Sequence, residues 1–111
     1  MSISTHVLDT ARGRPAAGLT ITLEQQDGDG WRRIGGGVTN DDGRVKGLLG
    51  GGALAKGVWR MTFETGPWFE AQGIDGFYPI ARVVFRVTAP EQHHHVPLLL
   101  SPFGYSTYRG S

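Results

Sequence analysis

Alternating apolar and polar residues, interrupted at short intervals by Gly, Asp and Pro, dominate the chain. Leu19, Ile21 and Leu23 alternate with Thr20, Thr22 and Glu24, and Val83, Phe85 and Val87 alternate with Arg82, Val84 and Arg86. A period of two puts each set on its own side of a strand, so these runs predict β-strands with one core face and one wetter face. About eight short strands are predicted, near residues 3–9, 18–25, 31–38, 43–47, 57–64, 77–88, 93–100 and 104–109. Asp27-Gly28-Asp29-Gly30 supplies a hairpin turn between the second and third. Only the stretch from Thr65 to Gln72 has room for a helix; Pro67 comes early in it and Gly73 just past its end, which brackets about two turns. Sheets with one apolar side must pack face to face, so the pattern predicts an all-β sandwich.

Composition narrows the picture. A chain of 111 residues with 39% hydrophobic content is expected to form one domain, residues 1–111, and to bury about two-thirds of its unfolded surface without staples. The net charge is +1 and the Lys and Arg residues are scattered, so no footprint for nucleic acid or a membrane surface is present. A small molecule is the expected partner. There is no Cys, which excludes disulfides, thiolate metal sites and a Cys nucleophile. No basic region followed by an apolar stretch opens the chain, and no run approaches the roughly 18 apolar residues of a membrane span; a cytoplasmic protein is expected. The Gly-rich residues 49–57 are not followed by Lys-Ser or Lys-Thr, so they predict a loop and not a phosphate cradle. The Asp27–Gly30 run lacks the later ligands of a calcium loop.

Candidate chemistry gathers at the two ends. In the strand predicted over residues 93–100, His93, His95, Pro97 and Leu99 share one face, and His94, Val96, Leu98 and Leu100 the other. The apolar set belongs in the core, which turns His95 outward onto a face too apolar for water and suggests a groove or a subunit interface. In the first strand Ser4, His6 and Leu8 share a face opposite Ile3, Thr5 and Val7. On residue type alone, His6 could as well be structural, Arg44 a solvated charge after a turn, and Tyr108 a cross-strand aromatic. His6, His93 and His95 could also form a three-imidazole zinc site with an open fourth position, although no acidic partner for the rings is evident nearby.

The closing Tyr-Arg-Gly-Ser, residues 108–111, preceded by His-x-His-Val-Pro-Leu-Leu-Leu-Ser-Pro, resembles the 5-hydroxyisourate hydrolases, or transthyretin-like proteins. So do Thr5-His6-Val7-Leu8-Asp9 with Gly13, Pro15 and Ala16, and the series Thr39, Asn40, Asp42, Gly43, Arg44. The resemblance spans the chain and implies a transthyretin-like β-sandwich of two four-stranded sheets with one short helix. It implies a homotetramer, a dimer of dimers with pockets where the dimers meet. It further implies a hydrolase that opens 5-hydroxyisourate to 2-oxo-4-hydroxy-4-carboxy-5-ureidoimidazoline in urate catabolism, with no metal, cofactor or covalent intermediate. Carried onto this sequence, the family pocket comprises His6, Arg44, His95 and Tyr108. His95 or His6 would take a proton from water, Arg44 would clamp the substrate and stabilise the developing oxyanion, and Tyr108 would orient the ring, with the Ser111 carboxylate holding the tail. A non-catalytic carrier of the same fold is the alternative; the vertebrate thyroid-hormone carrier lacks this His and Arg set and the closing tetrapeptide. One departure stands out: His94 occupies an inward position where the family usually has Tyr, and a buried imidazole needs a partner.

Overall fold

The structure, a computed structural model, describes residues 2–111. Its strands are β1 (Ile3–Asp9), β2 (Arg14–Pro15), β3 (Thr20–Asp27), β4 (Gly30–Val38), β5 (Gly57–Phe63), β6 (Ala81–Val87), β7 (His94–Ser101) and β8 (Gly104–Thr107), and helix α1 covers Thr65–Glu70. Two four-stranded sheets form, in the orders β2-β1-β7-β8 and β4-β3-β5-β6. The fold is the all-β sandwich expected from the alternation, with the two four-stranded sheets and one short helix that the family resemblance implies. Val7, Leu98 and Leu100 from the first sheet meet Ile21, Leu23, Trp59, Met61, Phe63 and Val87 from the second, with Leu19 just before β3, all essentially without exposure. Burying each such side chain contributes about 1.5–3 kcal/mol. Trp59 is fully interior because its indole N–H donates to Ala55 O at 2.8 Å. Among the described residues no helix is long and apolar enough to cross a membrane.

The strand expected over residues 43–47 does not form. Gly43 and Gly47 adopt φ of +75° and +68°, left-handed values that end an extended run on both sides. Arg44, Val45 and Lys46 only mimic strand alternation. In that strand's place β2, too short to leave a pattern, pairs with β1 through Leu8 opposite Pro15 and Asp9 opposite Arg14. The run expected over 77–88 shortens to Ala81–Val87; Phe77 N–H donates instead to Pro102 O, and Pro79 has no N–H for a ladder. The Asp27–Gly30 hairpin closes as expected, with those two residues paired.

The sheet carrying the site is built around a parallel pair. β1 and β7 run side by side with Ser4 opposite His95, His6 opposite Pro97 and Leu8 opposite Leu99. Alternation is clean in β1, where Ile3, Thr5, Val7 and Asp9 are buried and Ser4, His6 and Leu8 are half-buried. His6 and His95 are therefore diagonal neighbours on one outward face, contributed by opposite ends of the chain.

Candidate active site

Three local devices bring the functional side chains together. The first is the turn after β4. Asn40 Oδ1 accepts from the N–H groups of Asp42 and Arg44 at 2.9 and 3.1 Å, and Val7 N–H donates to Gly43 O at 2.8 Å. These bonds lay the turn against β1, and Arg44 Nη2 then reaches His6 Nδ1 at 3.5 Å, a long contact. Gly43 is required there: a Cβ would sit 2.4 Å from Val7 O and 3.4 Å from His6 Cδ2, at a φ of +75°. We expect Gly43→Ala to cost about 2 kcal/mol or more, seen as a lower Tm in thermal melts, and to reduce activity by moving Arg44.

The second device is the tail. Beyond β8, Gly110 bridges back to His95, its N–H donating to His95 O at 2.8 Å. Thr107 Oγ1 donates to Pro97 O at 2.8 Å and Arg109 Nη2 to Gln92 Oε1 at 3.1 Å. The His95 ring lies over Gly110, where a Cβ would be 2.4 Å from His95 Cδ2. Sequence reasoning passed over Gly110 as a site residue, although it stands inside the closing tetrapeptide. Gly110→Ala should displace the ring and lower kcat by about tenfold or more, with Tm nearly unchanged because the bridge lies at the surface.

The third device is Ser4, also missed, whose only sequence signal is its shared face with His6. Its Oγ lies 2.7 Å from His95 Nδ1 and 2.8 Å from His93 Nε2, while His93 Nδ1 is hydrogen-bonded to Ser2 Oγ. The His93 and His95 rings are near-parallel, with centroids 6.5 Å apart. Both His93 nitrogens and one of His95 are thus engaged by hydroxyls. Among the described residues no group of three His, Cys, Asp or Glu is arranged to hold a metal ion.

Electrostatics distinguish His95. Its pKa is lowered from 6.5, first by burial and then by the Arg44 guanidinium and the rings of His93 and His6, opposed by a hydrogen bond to the Ser4 backbone. An imidazole so placed is neutral at pH 7 and carries a lone pair for a proton. Arg44 is exposed and His6 half-buried; the Arg44–His6 contact and the register of β1 against β7 bring His6, Arg44 and His95 together on an open sheet face. Tyr108, 58% exposed, lines with His95, Arg109, Val84 and Phe85 an apolar cleft of about 230 Å³. Ser111 is exposed just past the Gly110 bridge. His94 is 4% exposed, and its Nδ1 is 2.9 Å from Gln92 O, which meets the need of the inward imidazole.

Known proteins share this arrangement of the backbone. The solved 5-hydroxyisourate hydrolase of Klebsiella pneumoniae is similar with a TM-score of 0.87 at 35% identity, covering all of both chains. Sea bream transthyretin in complex with thyroxine is similar with a TM-score of 0.91 at 34% identity, over 99% of this chain and 95% of that one. Backbone likeness therefore does not separate hydrolase from carrier, and the side chains must. In sequence, the 5-hydroxyisourate hydrolase of Salmonella typhimurium is 46% identical over 109 residues, 98% of this chain and 80% of that protein. The mouse 5-hydroxyisourate hydrolase is 43% identical over 111 residues, 98% and 94% of the two chains. The family model described as HIUase/Transthyretin matches residues 3–110, and the chain belongs to that family.

Proposed function

We propose that the chain is a 5-hydroxyisourate hydrolase and that the face bearing His6, Arg44 and His95 is where water opens the ring. The observation that carries this reading is geometric: the Arg44 guanidinium contacts the His6 ring, and His6 lies diagonal to His95 on one strand face, where burial lowers the His95 pKa. His95 Nε2 takes a proton from water as the water oxygen bonds to the cyclic acyl carbon. Charge gathers on the carbonyl oxygen, opposite the Arg44 guanidinium, whose planar donors suit a flat, oxygen-rich ring. The bond from that carbon to the ring nitrogen then breaks, and His95 returns the proton to the nitrogen. Water adds and no atom is lost, giving 2-oxo-4-hydroxy-4-carboxy-5-ureidoimidazoline.

The two histidines divide the work. Arg44 can only donate, so its approach to His6 Nδ1 favours a His6 lone pair there and a hydrogen on Nε2. His6 is accordingly a donor to the substrate and His95 the base. Tyr108 orients the ring through its hydroxyl, and Ser111 ends the tail that positions Tyr108. The expected place of Pro97 on the outward face is not kept, because it is buried within the single chain; the half-buried Leu8 and Leu99 are the apolar members that a facing dimer would cover, and the homotetramer supplies the missing wall. A cytoplasmic location belongs to the same proposal.

The test uses 5-hydroxyisourate generated in place by a urate oxidase and followed by its ultraviolet decay. Catalytic amounts of the protein, far below the substrate concentration, should speed the decay, and prior treatment with a chelator should leave the rate unchanged. A carrier would leave the decay at the spontaneous rate or slow it in proportion to the protein added, and either result would overturn the hydrolase reading.

A further inference from the structure

Four side chains alternate hydroxyl and imidazole along the edge of the site. Ser2 Oγ meets His93 Nδ1, His93 Nε2 is 2.8 Å from Ser4 Oγ, and Ser4 Oγ is 2.7 Å from His95 Nδ1. The strand pairing sets this spacing: Ser4 lies opposite His95, and His94 N–H donates to Ser2 O at 2.9 Å. One end, Ser2 and His93, is exposed, whereas Ser4 and His95 are half-buried. We infer that Ser4 and His93 form a proton relay that joins His95 to solvent and fixes which of its nitrogens is free to act. The inference rests on the hydrolase reading and on His95 as the base.

Hydrogen counting leaves the chain two ordered states. Each hydroxyl has one hydrogen and each neutral ring has one. In the first state His95 Nδ1–H donates to Ser4 Oγ, Ser4 O–H donates to His93 Nε2, and His93 Nδ1–H donates to Ser2 Oγ. His95 Nε2 then bears the lone pair. In the second state every bond is reversed and both rings carry their hydrogen on Nε2. The first state is the resting one, because only there does His95 Nε2, the nitrogen not bonded to Ser4, carry the lone pair that a base needs.

The two states match the two halves of the reaction. When His95 Nε2 takes a proton from the attacking water, its Nδ1 proton passes to Ser4, the Ser4 proton to His93, and the far His93 proton through Ser2 to solvent. The chain is now in the second state and His95 is neutral, so no imidazolium need persist beside the Arg44 cation. When the ring nitrogen leaves, His95 Nε2–H gives it a proton, the relay draws one back from solvent, and the first state returns. One proton leaves and one enters per turnover.

Nitrogen-15 NMR of the histidine rings tests the relay independently of activity. His93 and His95 should hold the same tautomer, with hydrogen on Nδ1, and Ser4→Ala should uncouple them; opposite tautomers in the unaltered protein would overturn the inference even if the protein is a fast hydrolase. Kinetics test it a second way. Ser4→Ala and His93→Ala should each lower kcat by about tenfold or more with KM within about twofold, and Ser4→Thr, which keeps the hydroxyl, should restore most of it. Because His93 is exposed, imidazole added to the buffer should rescue His93→Ala in a saturable way, which a merely structural role would not allow. An unchanged kcat in His93→Ala, or a loss that imidazole does not relieve, would overturn the relay. An unaltered protein with no effect on 5-hydroxyisourate sinks the hydrolase reading instead, and the tautomer measurement then decides the hydrogen-bonded chain on its own.

Discussion

Substituting His95→Asn should lower kcat by about a hundredfold or more, while circular dichroism and Tm stay close to those of the unaltered protein. Asn is of similar reach and can still bond Ser4 Oγ, which lies 2.7 Å from the nitrogen it replaces, and it sits over Gly110 without a clash of ring width. It cannot accept a proton at any working pH. The variant therefore removes one property, a lone pair of suitable basicity, and leaves the β7 strand paired on both sides. A further consequence concerns pH. Burial and the Arg44 guanidinium lower the His95 pKa from that of a free imidazole, so the acid limb of kcat/KM in the unaltered protein should lie at lower pH than a free imidazole would give. In His95→Asn that acid limb should vanish from the residual rate. A residual rate that keeps the same limb would move the base to another group.

Arg44→Ala is the second large effect, about a hundredfold to a thousandfold in kcat for the loss of a charged donor at the oxyanion. It carries its own sign test. Arg44 is, after burial, the strongest influence lowering the His95 pKa. Removing that cation makes the imidazolium less unfavourable, so the pKa rises and a higher pH is needed to keep the ring neutral. The acid limb of the residual kcat/KM should thus move to higher pH. Arg44→Lys retains the charge and should leave the limb where it was, yet recover only part of the rate because an ammonium lacks the planar fork. An acid limb that moves to lower pH in Arg44→Ala would contradict the electrostatic account of the site.

Much of this architecture could be read from the letters because the apolar pattern has a period of two wherever one face meets the core. Ile21 and Leu23, or Val83 and Val87, can face only inward. The same logic turned His95 and His6 outward and His94 inward, as the structure has them. The failure at residues 43–47 has a plain cause: backbone sign is set by Gly43 and Gly47, and alternation of Arg44, Val45 and Lys46 says nothing about it. β2 was invisible because two residues carry no period. Within the site, the pairing of β1 with β7, which sets Ser4 beside His95, joins residues more than 90 apart, and no local pattern encodes such a register. Gly110 escaped notice for a related reason, since its role is the absence of a Cβ beneath a ring supplied by another strand.

The most direct measurement compares the decay of 5-hydroxyisourate in three samples at equal concentration: buffer, the unaltered protein, and a variant combining His6→Asn, Arg44→Ala and His95→Asn whose fold and assembly have been checked by circular dichroism and sedimentation. Rapid decay is expected with the unaltered protein and the spontaneous rate with the folded variant. A folded variant that still accelerates the decay would place the chemistry elsewhere on the molecule, away from His6, Arg44 and His95.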